Sequence, residues 1–79
     1  MAIHWSNENE GMSLDGSFWG ARIWHDGDEG VWYWEAWSDG DEVLDIQSDS
    51  ADGEEDNKTK AMRKAEKFLT KLGIDLEAY

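Results

Sequence analysis

Apolar and aromatic residues gather in three strand-like runs of this chain, each of a length that suits a β-strand with side chains facing alternately to either side. The runs are SFWGARIWH (17–25), VWYWEAWS (31–38) and EVLDIQS (42–48). The segments between them, DGDEG and DGD, carry Asp-Gly turn chemistry, so the runs predict an antiparallel meander. A shorter run, AIHWS (2–6), predicts a fourth strand, with NENEGMSLDG as a long loop after it. Beyond residue 52 the pattern changes. Ala61, Met62, Ala65, Phe68, Leu69 and Leu72 form one stripe at helical spacing, predicting a helix over about 53–72. Asp52 with Glu55 three positions on suits an N-cap and capping box, and Gly73 suits a left-handed C-cap with Ile74 folding back onto Leu69. The expected fold is α+β, a three- to four-stranded antiparallel β-meander packed on one C-terminal α-helix.

Register follows from keeping each face chemically sensible. Pairing Trp24 with Tyr33 sets Arg22 opposite Glu35, and Ile23–Trp34 and Ala21–Ala36 then share the face that the helix covers. A three-residue turn pairing Ser38 with Glu42 sets Leu44 and Ile46 on that same face, opposite Ala36 and Trp34. The other face then carries Trp24, Tyr33 and Trp37 around Glu35 and Asp45, which oppose each other with Arg22 beside them. Like charges in that position destabilise a sheet.

Size makes this arrangement more unusual. A chain of 79 residues reads as one domain with a small core, which the ten aromatic residues, six of them Trp, can fill. With no Cys, disulfides, thiol nucleophiles and zinc–thiolate sites are excluded, and the reducing cytoplasm is the expected setting. The start, MAIHWSNENEG, lacks the charged and apolar regions of a signal peptide, so a soluble, unprocessed protein is expected. Charge is segregated. Residues 1–56 hold 16 of the 19 acids and one base, Arg22, a net −15, whereas residues 57–79 hold six bases and three acids, a net +3. Such a field repels nucleic acid and anionic membranes and attracts basic surfaces.

Enzyme motifs are missing: there is no phosphate-cradling glycine loop, nucleophile elbow or His-Glu-x-x-His helix, and His4 and His25 lie far apart. Neither catalysis nor a cofactor is expected. SDSADGEED resembles a calcium loop, but counting from Ser48 sets Gly53 sixth and Thr59, not Glu, twelfth, so no metal site is expected. The lysines of the predicted helix fall mostly off its apolar stripe, as on a solvated face.

The candidate binding residues are therefore acidic and aromatic: Asp26, Asp28, Glu29, Glu35, Asp39, Asp41, Glu42 and Asp45, with Trp24, Tyr33 and Trp37. Carboxylates pair with Lys and Arg and steer association, while Trp and Tyr are common interface anchors. Same-face strand residues repeat every ~6.6 Å, about two nucleotide steps along one DNA strand. A stripe of them suits a channel built for nucleic acid.

In length, acidity, lack of Cys and strand-then-helix plan, the chain resembles the small acidic inhibitors of phages and mobile elements, namely type I anti-CRISPR proteins and anti-restriction DNA mimics. The resemblance implies a stoichiometric inhibitor that occupies the basic DNA-recognition surface of a type I CRISPR interference complex. It implies no catalytic residues, no membrane and no direct nucleic-acid binding, in a bacterial host's cytoplasm, as a monomer or weak homodimer. The basic helix departs from a uniformly acidic mimic. The alternatives are a halophile's small acidic domain and a cytosolic interaction module that adds its sheet edge to a partner.

Overall fold

The computed structural model describes residues 3–8, 11–27 and 30–78. Five antiparallel strands, β1 (Ser6–Glu8), β2 (Gly11–Asp15), β3 (Trp19–Asp26), β4 (Val31–Asp41) and β5 (Ile46–Glu55), form one sheet in chain order. Helix α1 (Lys58–Lys71) and a short 3₁₀ turn, Leu76–Ala78, follow. The α+β class is as expected, with more strands than the three to four predicted.

The first long hairpin has the expected register. Ala21 pairs with Ala36, Arg22 with Glu35, Ile23 with Trp34 and Trp24 with Tyr33. Alternation sends Trp19, Ala21, Ile23, Trp34 and Ala36 to one side, where Ala61, Ala65 and Leu69 of α1 complete the buried cluster. Alanines fill the tightest places among the larger side chains: Ala21, Ala61 and Ala65 are each 0% exposed and Ala36 1%, beside Ile23 and Leu69 at 2% and 0%. Gly73 has φ 100°, and the Ile74 amide donates to Leu69 O at 3.2 Å, closing the helix as expected and burying Ile74.

The second hairpin departs from expectation. Rather than turning at Asp39–Asp41, β4 runs on to Asp41, residues 42–45 make the turn, and β5 pairs Asp49 with Ser38, Ala51 with Ala36 and Gly53 with Trp34. The carboxylate of Asp41 decides this. Its Oδ1 accepts the Val43 and Leu44 amides at 2.9 and 3.2 Å, and Asp45 takes a left-handed φ of 57°. Such Asp-nucleated turns compete well with a strand ladder. Leu44, expected in the core, is consequently 53% exposed, while Ile46 is buried as expected.

The same shift moves the start of the helix. Asp52 and Glu55 belong to β5, and the N-cap is Asn57, whose Oδ1 accepts the Lys60 amide at 2.9 Å. At the other end of the chain, the expected strand 2–6 is replaced by β1 from Ser6 onward, and Ala2 lies outside the described residues. The segment expected as loop contains β2, whose Met12 and Leu14 pair with Ile23 and Ala21 and so meet the core. Before β1 the chain lies on the helix side. The Trp5 indole N–H donates to Glu66 Oε2 at 2.7 Å, and Arg63 reaches Glu66 Oε1 at 2.6 Å, so this buried carboxylate is held by two short charge-assisted bonds.

Glycines provide floors for three indoles. Side chains at Gly16 and Gly20 would run into Trp19 and Trp37, and a Cβ at Gly53 would stand 2.7 Å from Trp34 Nε1. Replacing a strand glycine ordinarily gains about 0.5–1 kcal/mol of chain entropy. Here the buried Trp34 ring cannot swing away, so overpacking outweighs that gain. Gly53→Ala is expected to lower the unfolding free energy by about 1–3 kcal/mol, read as a shifted urea midpoint at unchanged slope.

Candidate functional site

The sheet face turned away from α1 is assembled from the other half of each strand's alternation. Register sets Ser13, Arg22, Glu35 and Asp52 in one cross-strand row, and Trp24, Tyr33 and Glu54 in the next. A third row joins Asp15, Gly20, Trp37 and Ser50, and Asp39 stands beside Ser48. Among the described elements, α1 packs on the opposite face, against β3, β4 and β5.

The aromatic residues are held in place. Trp24 stacks on Tyr33 with centroids 5.6 Å apart and planes 22° apart, and the Arg22 guanidinium lies 5.4 Å from the Trp24 ring. Arg22 Nε also pairs with Glu35 Oε1 at 3.1 Å. Both partners are over a third exposed, so solvent screening leaves this pair well under about 1 kcal/mol. Its value is positional: Glu35, Arg22, Trp24 and Tyr33 form a continuous chain of contacts. Trp37 lies over Gly20 on the same face. Glu35, Ala36, Trp37, Ser50, Ala51 and Asp52 line a shallow groove of about 320 Å³.

Of the expected binding residues, Trp24, Tyr33, Glu35, Trp37 and Asp39 come together on this face. Asp26 stands at the far end of β3, whereas Asp41 ends β4 and Glu42 and Asp45 lie in the turn that follows, at the other end of the sheet. Asp28 and Glu29 lie outside the described residues. The expected opposition of Glu35 and Asp45 is corrected. Asp45 sits in the turn, and Glu35 is opposed by Asp52.

Asp52 and Glu54 are the members of this face that the sequence reading missed, because Asp52 was expected as the helix N-cap and Glu54 in its first turn. Polar residues at Ser48, Ser50, Asp52 and Glu54, spaced by two, were the available signal. Strand β5 is also the sheet edge, and its backbone is guarded: the Ser50 amide donates to Asp49 Oδ1 at 2.8 Å. Carboxylates along an edge discourage pairing with another strand.

Chemically the face offers exposed carboxylates beside flat aromatic surfaces. That combination suits guanidinium and ammonium groups, which pair with the former and stack on the latter. Among the described residues no group of three or more His, Asp or Glu is placed to hold a metal ion. No described helix is long and apolar enough to cross a membrane. Compared with protein-family models, curated proteins and solved structures, the chain matches none.

Opposed carboxylates carry a stability cost that substitution should release. Asp52→Asn is expected to raise the unfolding free energy by about 0.2–1 kcal/mol in dilute buffer. The gain should shrink toward zero near 1 M salt, where the Debye length is about 3 Å, as followed by urea denaturation at several salt concentrations.

Proposed function

We propose that this protein is a stoichiometric inhibitor of the anti-CRISPR kind. Its acidic, aromatic sheet face binds the basic DNA-recognition surface of a type I CRISPR interference complex and blocks target DNA binding. The observation that carries the reading is the outer face itself, where Glu35, Asp39, Asp52 and Glu54 border Trp24, Tyr33 and Trp37, with Arg22 as the base among them. Partner arginines and lysines relieve the repulsion between Glu35 and Asp52, and the rings supply a desolvated centre. The lysines of α1 lie on the opposite side, so the mimicry is confined to the sheet face. The action proposed is in the cytoplasm of a bacterial host, by protein–protein contact, without catalysis, cofactor or direct contact with nucleic acid.

A second reading, an interaction module that takes on a partner strand, is favoured by the length of edge strand β5, Ile46–Glu55. The acidic groups separate the two. Asp39→Asn with Asp52→Asn leaves the edge backbone unchanged but removes charge from the face, whereas Asp41 is needed for its turn and is left alone.

The test is a mobility-shift titration of purified type I interference complexes on their target duplex. Loss of the shifted duplex is expected near equimolar inhibitor, weakening as salt is raised. The triple variant Glu35→Gln, Asp52→Asn, Glu54→Gln is expected to need at least about tenfold more protein. Folded wild-type protein that leaves duplex binding intact at low salt across a panel of type I complexes overturns the proposal. Inhibition that survives the charge variants points to the edge strand.

A further inference from the structure

The end of the β4–β5 hairpin protrudes from the sheet. Pairing of β3 with β4 ends at Trp19 and Ser38, and among the described residues the last backbone bond to that side is the Asp39 amide donating to Phe18 O, in the β2–β3 connection, at 2.6 Å. Beyond it, β4 and β5 pair only with each other as far as Asp41 and Ile46. At the tip Val43 is 94% exposed and Leu44 53%, the large hydrophobic side chains most open to solvent among the described residues.

Turn geometry does not require these two side chains. The turn is held by their backbone amides on Asp41 Oδ1, by the Asp45 amide donating to Glu42 O at 3.3 Å, and by the left-handed Asp45. Polar residues at 43 and 44 would keep every one of these bonds. The result is a preorganised apolar tip bordered by Asp39, Asp41, Glu42 and Asp45.

The outward side of α1 offers the complement. Glu55, Thr59, Lys60, Arg63, Lys64 and Lys67 line a groove of about 400 Å³. Positions 60, 64 and 67 share one helix face, and their methylene stems make an apolar wall beneath charged heads. Lys60 and Arg63 are engaged by Asp56 and Glu66, at 3.1 and 2.6 Å. Among the described residues Lys64 and Lys67 make no ion pair, so they are available to an incoming carboxylate.

We propose that the Val43–Leu44 tip of one copy seats in the Lys60–Lys67 groove of a second copy, its carboxylates meeting Lys64 and Lys67. Tip and groove are different patches of one molecule, so the contact is head-to-tail and propagates rather than closing as a two-fold dimer. A two-residue tip buries far less than a standard interface, so the contact is a weak one, with Kd on the order of 1 mM. The salt response is distinctive. In dilute buffer the net charge of −12 on each copy opposes approach, and at high salt the local pairs are screened. Association should therefore peak at intermediate ionic strength. Face-to-face or edge-to-edge pairing would instead set Glu35, Asp52 and Glu54 against their own copies.

The test uses the whole chain, from about 50 μM to about 1 mM at about 0.15 M salt, by sedimentation equilibrium and amide NMR. The expected result is an average mass that rises past the dimer, with amides of residues 42–45 and 59–67 shifting together. Val43→Ser with Leu44→Ser, and separately Lys64→Glu with Lys67→Glu, should each weaken association at least about tenfold while retaining a dispersed amide spectrum. Mixing the lysine-reversed protein with Asp39→Lys, Glu42→Lys protein should restore it. A strictly monomeric protein over this range overturns the proposal. So does a closed dimer whose shifts map to the sheet face or β5, or association that keeps rising with salt and ignores these substitutions.

Discussion

The packing of α1 onto the inner sheet face, large rings set among alanines, is the contact on which the rest of the molecule depends. Ala21 and Ala36 are paired neighbours in the sheet, and Ala61 and Ala65 are one turn apart on α1; all four lie in the same buried cluster. Larger residues there would hold the layers apart and expose Trp19, Ile23, Trp34 and Leu69. Small side chains beside large rings let a chain of this size fill its interior without gaps. The same packing also fixes register, because a one-residue slip would exchange Ala36 and Trp34 for Glu35 and Trp37.

Once the inner face is fixed, the outer face follows with no further freedom. Every residue that alternates with the core of β3 and β4 must point away from α1, among them Arg22, Trp24, Tyr33, Glu35, Trp37 and Asp39. Edge strand β5 adds Asp52 and Glu54 in register. Selection for stability alone would have favoured opposite charges across Glu35 and Asp52, and a polar residue in place of Trp37. The sequence instead retains Gly20, which gives the Trp37 ring a flat floor. Stacking, the Arg22 contact and that glycine hold the rings in fixed positions, an arrangement that would lower the ordering cost of any binding at this face.

Much of this was legible in the sequence where local chemistry had one answer. The hairpin of β3 and β4 could be registered because only one pairing matched Arg22 with Glu35 while also matching Ile23 with Trp34. The helix stripe and its Gly73 ending were equally plain. What failed was the second hairpin, where Asp-Gly-Asp at 39–41 is stronger turn chemistry on paper than Glu-Val-Leu-Asp at 42–45. The Asp41 side chain reverses that order by binding two amides ahead of it, an interaction that propensity does not encode. That one displacement exposed Leu44, moved Asp52 and Glu54 from helix to sheet face, and handed the N-cap to Asn57. Strand β2 was missed for a different reason: two apolar residues are too few to show a period, and its pairing with β3 is a tertiary fact.

The separation of charge bears on how the acidic face can exist at all. Sixteen carboxylates in the first 56 residues would oppose compaction if their field were unanswered. One base of the last third answers it at short range, and two others make packing contacts. Lys60 pairs with Asp56, Arg63 meets the buried Glu66 that also holds Trp5, and Lys58 lies 6.0 Å from the Trp32 ring. None of these contacts reaches across to the outer sheet face, where Arg22 is the positive charge among the described residues. Positive charge thus ties helix, strand end and N-terminal segment together, while among the described residues Arg22 alone meets the carboxylates around Trp24, Tyr33 and Trp37. The fold keeps one face negative while relieving the repulsion elsewhere, and a short helix on the far side of a single sheet is enough to do so.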